Sequence, residues 1–126
     1  MTVAVVNAPV TATTATINSW TGGDCDWNAH LTVVCYGGAI SGASDRTFVT
    51  GSTINTTLSK VDFAAANNGR LLAHETVHTR QWALFGGGVG FPLLYGLETL
   101  RTGGDECRNV FEIWAGLEDG GYKCGC

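Results

Sequence analysis

Charge is scarce in this chain. Lysine and arginine together number 7 and aspartate and glutamate 11, so charged residues make up 14% of 126 positions and the formal net charge is −4. That balance gives no electrostatic case for a nucleic-acid partner. Long hydrophobic runs are missing as well. The most apolar long stretch, Phe85 to Leu97, is too short and too rich in glycine to span a bilayer. No basic segment followed by an apolar run is present, so no signal peptide is expected. There is no internal repeat and no linker long enough to divide the chain. A single domain over residues 1–126, with one modest core, is therefore expected.

Two residue types are plentiful. The 18 glycines, with many threonines, suggest a loop- and strand-rich protein rather than a helical bundle. Five cysteines are many for so small a chain in a reducing compartment. They point to a secreted, extracellular setting with two disulfides and one thiol left over. Cys25 and Cys35 flank a strand that can return on itself near Gly22-Gly23 or Gly37-Gly38, and are expected to pair. Cys107 is expected to pair with Cys124 or Cys126. The rival is a thiolate metal site at Cys124-x-Cys126, for which no second closely spaced cysteine pair exists.

Only three histidines are present, and two of them stand in His74-Glu75-Thr76-Val77-His78. On an α-helix, residues four apart share a face, so both imidazoles can reach one ion. Glu75 lies about 100° further round, where its carboxylate can reach a water on that ion without being a ligand. Leu71, Val77, Leu84 and Phe85 recur around the histidines with helical period. Asn67-Asn68 offers an N-cap and Gly86-Gly87-Gly88 a stop, which predicts a helix over 68–85. The chemistry that fits is a zinc hydrolase: His74 and His78 as ligands, Glu75 as general base and Zn2+ as cofactor. Gln81, one turn beyond His78, can orient a ligand from behind or be an ordinary polar helix residue.

Through Leu72-Ala73-His74-Glu75-Thr76-Val77-His78-Thr79-Arg80-Gln81 the chain resembles the zincin metallopeptidases, in particular small bacterial proteins with a His-Glu-x-x-His-x-x-Gln helix. A second, looser match is Asn109-Val110-Phe111-Glu112-Ile113-Trp114-Ala115-Gly116-Leu117, similar to the helix that gives the third ligand in the glutamate-ligand branch. The similarity covers about the C-terminal half. Two departures stand out: Arg80 replaces a commonly apolar residue, and no histidine or aspartate follows closely after His78. The resemblance implies peptide-bond hydrolysis on a peptide or protein substrate, with Glu112 as third ligand. It also implies a strand beside the metal helix whose edge pairs with substrate, for which Arg46 to Thr50 is the candidate.

Helix geometry alone reads the third ligand differently. Asp105 caps a predicted final helix to about Leu117, with Val110, Ile113, Trp114 and Leu117 as its apolar stripe. Counting 100° per residue puts Glu106 close to that stripe and Glu112 nearly opposite it. Asn109, Ala115 and Gly116 on the side of Glu112 are nevertheless small enough for another helix to approach. Glu112 and Glu106 both stand as candidates.

For the rest, Val3–Val6 and Thr14–Trp20 read as strands, as do 30–36, 46–50 and 52–58; 62–66 reads as a helical turn and 91–100 as a helix. The expected fold is α+β, zincin-like, a small N-terminal sheet packed on a helical C-terminal half. Tyr95, Tyr122, His30 and Arg108 are possible oxyanion donors, and Trp20, Trp27, Trp82 and Trp114 core residues or groove walls. Two other functions share these features: a binding or structural domain retaining the helix, and a zinc hydrolase acting on a non-peptide substrate.

Overall fold

The computed structural model describes residues 3–28, 32–117 and 119–122, and mixes helices with one four-stranded sheet. Strands β1 (Asp24–Trp27), β2 (Val33–Tyr36), β3 (Phe48–Thr50) and β4 (Thr53–Thr56) lie in the order β1-β2-β4-β3. The central pair β2–β4 is parallel and both outer pairs are antiparallel. The α+β class is as expected. So are strands in the 46–50 and 52–58 segments; they pair as a hairpin turning at Gly51, and the first takes the sheet edge.

The first helix, α1, runs Val3–Trp20, where the sequence suggests two strands. β-Branched residues favour strands locally, and the helical signal lies in the polar residues instead. Asn7, Thr11, Thr14 and Asn18, spaced 4, 3 and 4 apart, are all buried, while Val5 and Trp20 face solvent. The polar stripe is matched by polar groups on the layer beneath it. Asn7 Nδ2 donates to Ser52 Oγ at 2.9 Å and to the Thr79 carbonyl at 2.8 Å. The Ser52 amide donates to Thr11 Oγ1 at 2.8 Å.

Asn18 ties the other end. Its Oδ1 accepts from the Ile40 and Ser41 amides at 2.9 and 3.0 Å, and its Nδ2 donates to Asn55 Oδ1 at 2.8 Å. Gly38 lies so near that a Cβ there would sit 2.6 Å from the Asn18 Cα. Asn18→Ala leaves two backbone donors and a buried amide oxygen without partners. It should lower stability by roughly 2–4 kcal/mol, read as a lower urea midpoint with an unchanged m-value.

The opposite face of the sheet is apolar. Val34 and Ile54, in register on β2 and β4, pack on Phe63 and Leu71. These come from α2 (Lys60–Gly69) and α3 (Leu71–Leu84). The helix expected over 68–85 is thus broken, because Gly69 takes φ 80° and separates the two. Asn67 and Asn68 lie inside α2 rather than capping α3, whose N-cap position is Arg70.

Cys25 and Cys35 do not bracket one strand. They face each other across β1 and β2 and form the expected disulfide. Cys107 is disulfide-bonded; its expected partners, Cys124 and Cys126, lie outside the described residues, as does His30.

Helix α4 (Gly90–Thr102) follows the Gly86–Gly88 stop. The predicted final helix is divided in two. Asp105 caps only a 3-10 turn, Glu106–Arg108, accepting from the Cys107 amide. Asn109 then caps α5 (Val110–Ala115), accepting from the Phe111 amide. A second core joins Trp82, Phe91 and Phe111 of α3, α4 and α5. Of the tryptophans only Trp82 is buried, while Trp20 and Trp27 wall a groove between α1 and β1.

Candidate metal centre

The face of α3 turned into the protein is largely polar: His74, Glu75, His78, Thr79 and Gln81 are buried alongside Leu71 and Trp82. His74 and His78, one turn apart, point their Nε2 atoms at one spot and stand 3.2 Å from each other. Helix α5 brings Glu112 to that spot. Its Oε1 lies 3.0 Å from each of the two Nε2 atoms. All three side chains are buried, and among the described residues they form a group able to hold a metal ion.

The opposite ring nitrogens fix which tautomer faces the spot. His74 Nδ1 donates to the Gly116 carbonyl at 2.7 Å, and His78 Nδ1 donates to Gln81 Oε1 at 2.7 Å. Neither acceptor carries a hydrogen, so both Nδ1 atoms hold a proton, and each Nε2 is left to bond Glu112 when the imidazole is charged or to offer a lone pair when it is neutral. Gln81 is fully buried, and its Nε2 donates to the Phe111 carbonyl at 3.1 Å. It therefore fastens the second histidine to the backbone of α5, one residue before Glu112. Of its two sequence readings, these contacts are those of a group that orients the His78 imidazole.

Gly120 lies flat on the first histidine, where a Cβ would come within 2.5 Å of the His74 Cε1. Tyr122 sets its ring 5.9 Å from that of His74. Both imidazoles are thus held on several sides before any ion arrives.

The residues fit a zinc ion. Four-coordinate zinc with bonds of about 2.0–2.1 Å separates its ligand atoms by about 3.3–3.4 Å. Two imidazole nitrogens and one carboxylate oxygen, 3.0–3.2 Å apart, need only a slight opening to reach that. Their electrostatics ask for a cation. Burial pushes the His78 pKa down, but the Glu112 carboxylate more than offsets this and raises it. Burial likewise pushes Glu112 up, and hydrogen bonds from His74, His78 and Tyr95 with the charge of His78 hold it well below the usual carboxylate range.

The expectation for Glu112 from the family resemblance agrees with this geometry, and the competing reading for Glu106 does not. Glu106 belongs to the 3-10 turn and forms an ion pair with Arg46. The helix count assumed one continuous helix from Asp105 with its apolar stripe inward. In α5 the buried residues are Phe111, Glu112 and Ala115, while Val110, Ile113 and Trp114 are 48%, 51% and 52% exposed.

A cleft of about 390 Å³ opens onto the three residues. One wall is Arg46, Thr47, Phe48 and Val49, the edge strand and its approach; the far wall includes Phe91 and Tyr95 of α4. Glu75 also lines it, with no hydrogen bond or ion pair among the described residues. Burial raises its pKa from 4.5 to about 7, against the lowering influence of His78 and His74. A carboxyl of that kind at the floor of a cleft can exchange protons near neutrality.

Of the possible oxyanion donors, Tyr95 and Tyr122 line the cleft. Arg108 is exposed and absent from its lining. Tyr95 has another role, since its hydroxyl donates to Glu112 Oε2 at 2.5 Å. No spacing signal links residue 95 to residue 112, so only the fold reveals that contact. Arg46, which caps the Tyr122 ring at 4.8 Å, is a further rim residue that sequence reasoning placed only as part of a strand.

What these features define is a buried His-His-Glu site, open on one side to a cleft beside a sheet edge. Searches of protein-family models, curated proteins and solved structures found no match to this chain.

Proposed function

We propose that the chain is a small zinc-dependent metallopeptidase, with His74, His78 and Glu112 holding the ion and Glu75 as general base. The observation that carries this reading is the convergence of the two Nε2 atoms and Glu112 Oε1 to within 3.0–3.2 Å on the floor of a cleft. Zinc, when bound, supplies a Lewis acid that lowers the pKa of water towards about 7 and polarises a carbonyl.

The chain's own residues do the rest. Glu75, unpaired and raised to about 7, accepts a proton from the attacking water and returns it to the leaving amine. Gln81 and the Gly116 carbonyl keep the histidine lone pairs aimed inward. Among the described residues β3 pairs only with β4, so its other edge can hold an extended peptide by main-chain hydrogen bonds along the cleft. Tyr122, whose hydroxyl makes no hydrogen bond among the described residues, is the remaining tyrosine available to a developing oxyanion.

A structural zinc site is usually closed by four protein ligands, whereas three ligands beside a cleft suit catalysis. The disulfide Cys25–Cys35 is compatible with work outside a reducing compartment, and no helix among the described residues is long and apolar enough to cross a membrane.

Metal analysis with a peptidase assay tests the reading. Protein purified without chelator should carry about one zinc per chain and cleave an unfolded protein substrate. Chelation should stop cleavage and added zinc restore it. A chain that neither holds nor takes up zinc would overturn the proposal. A zinc-loaded chain inert towards every peptide would leave a structural or non-peptide role.

A further inference from the structure

We propose that Tyr95 is a positioning residue for Glu112, dividing the two carboxylate oxygens so that only Oε1 is offered to the ion. This rests on the metal-site reading above and goes beyond it. The two oxygens are differently engaged: Oε1 lies 3.0 Å from both Nε2 atoms, while Oε2 accepts the Tyr95 hydroxyl proton at 2.5 Å. That distance belongs to hydroxyl–carboxylate bonds, which are stronger than neutral ones.

The donor is itself held in place. The Tyr95 ring lies nearly parallel to Phe111 at 6.1 Å and packs on Phe91 at 5.7 Å. Phe111 is the residue before Glu112, and Phe91 in turn touches the ring of His78 at 6.2 Å. The tyrosine is thus fixed against the helix that carries the carboxylate and, through Phe91, against the helix that carries the histidines.

The consequence concerns the open side of the site. A carboxylate free to offer both oxygens can take up two positions around an ion. With Oε2 tied to Tyr95, the protein supplies two nitrogens and one oxygen, and a fourth position stays open for water or substrate. In Tyr95→Phe the ring packing is preserved and one hydroxyl is lost. Oε2 is then a buried carboxylate oxygen without a partner, and turning towards the ion is its way of regaining one.

The test uses the whole chain loaded with Co2+ or Zn2+. Wild-type protein with cobalt should show the intense visible absorption of a four-coordinate ion. Tyr95→Phe should show the weaker bands of a higher coordination number, with zinc affinity lowered about 10–100-fold. Circular dichroism should show the fold retained, and a tyrosine that only packs would leave the cobalt spectrum unmoved. An unchanged spectrum in Tyr95→Phe, or a zinc affinity equal to that of wild type, would overturn the proposal while the metal site stands. Wild-type protein that takes up neither metal would remove both.

Discussion

Glu75→Gln should abolish peptide hydrolysis while leaving the metal bound. The amide matches the carboxylate in size but cannot accept a proton, so a loss of about 10²–10⁴-fold is expected from removing the base alone. The same substitution should stabilise the metal-free chain. Burial raises Glu75 from 4.5 to about 7 in the folded protein, so between those values the folded chain holds the proton more tightly than the unfolded one. Stability then falls as pH rises through that window, and the loss is complete above pH 7. It amounts to ~3 kcal/mol for a carboxyl displaced this far. Glutamine does not ionise and escapes that loss. Urea melts in chelator at pH 4.5 and pH 8 should therefore show parent and variant alike at the lower pH and the variant ahead at the higher. A variant that keeps full activity would remove Glu75 from the mechanism, and equal stability at pH 8 would remove the account of its burial.

The second large effect separates the two glutamates. Glu112→Ala deletes a carboxylate oxygen 3.0 Å from both Nε2 atoms and, on the proposed reading, should cost more zinc affinity than the roughly 10–100-fold typical of an outer supporting group. Glu106→Ala breaks only a rim ion pair with Arg46, both side chains being partly exposed, and should leave zinc affinity nearly unchanged. Titration against a competing chelator reads both. Zinc retained by Glu112→Ala and released by Glu106→Ala would show the site to be built on the other carboxylate.

His74, Glu75 and His78 were legible in the sequence as a candidate site because their spacing is a property of one helix. So was the pairing of Cys25 with Cys35, although the reason is cross-strand register rather than a single strand turning back. The errors share a cause. Hydrophobic periodicity assumes that the buried stripe of a helix is apolar, and here it repeatedly is not. α1 buries Asn7, Thr11, Thr14 and Asn18; α3 buries His74, Glu75, His78, Thr79 and Gln81. α5 exposes its valine, isoleucine and tryptophan and buries Glu112.

Several of these polar residues take those places because they meet a partner from another element, as Asn7 meets Ser52 and Thr79 and Asn18 meets Asn55. Such partners lie far off in sequence, and no local window contains them. Glu112 was recoverable only through the resemblance of its surroundings to a known pattern. The tie from Tyr95 to Glu112 had no sequence signal at all.

The order of residues also sets an order in time. His74 and His78 stand 38 and 34 positions ahead of Glu112, and the carbonyl that aligns His74 belongs to Gly116. As the chain leaves the ribosome, both imidazoles are made well before the carboxylate and the turn that complete their set. A nascent chain ending anywhere between has two of the three residues of the group, and the first of its histidines lacks its backbone acceptor. The group able to hold an ion is therefore incomplete until translation has passed residue 116.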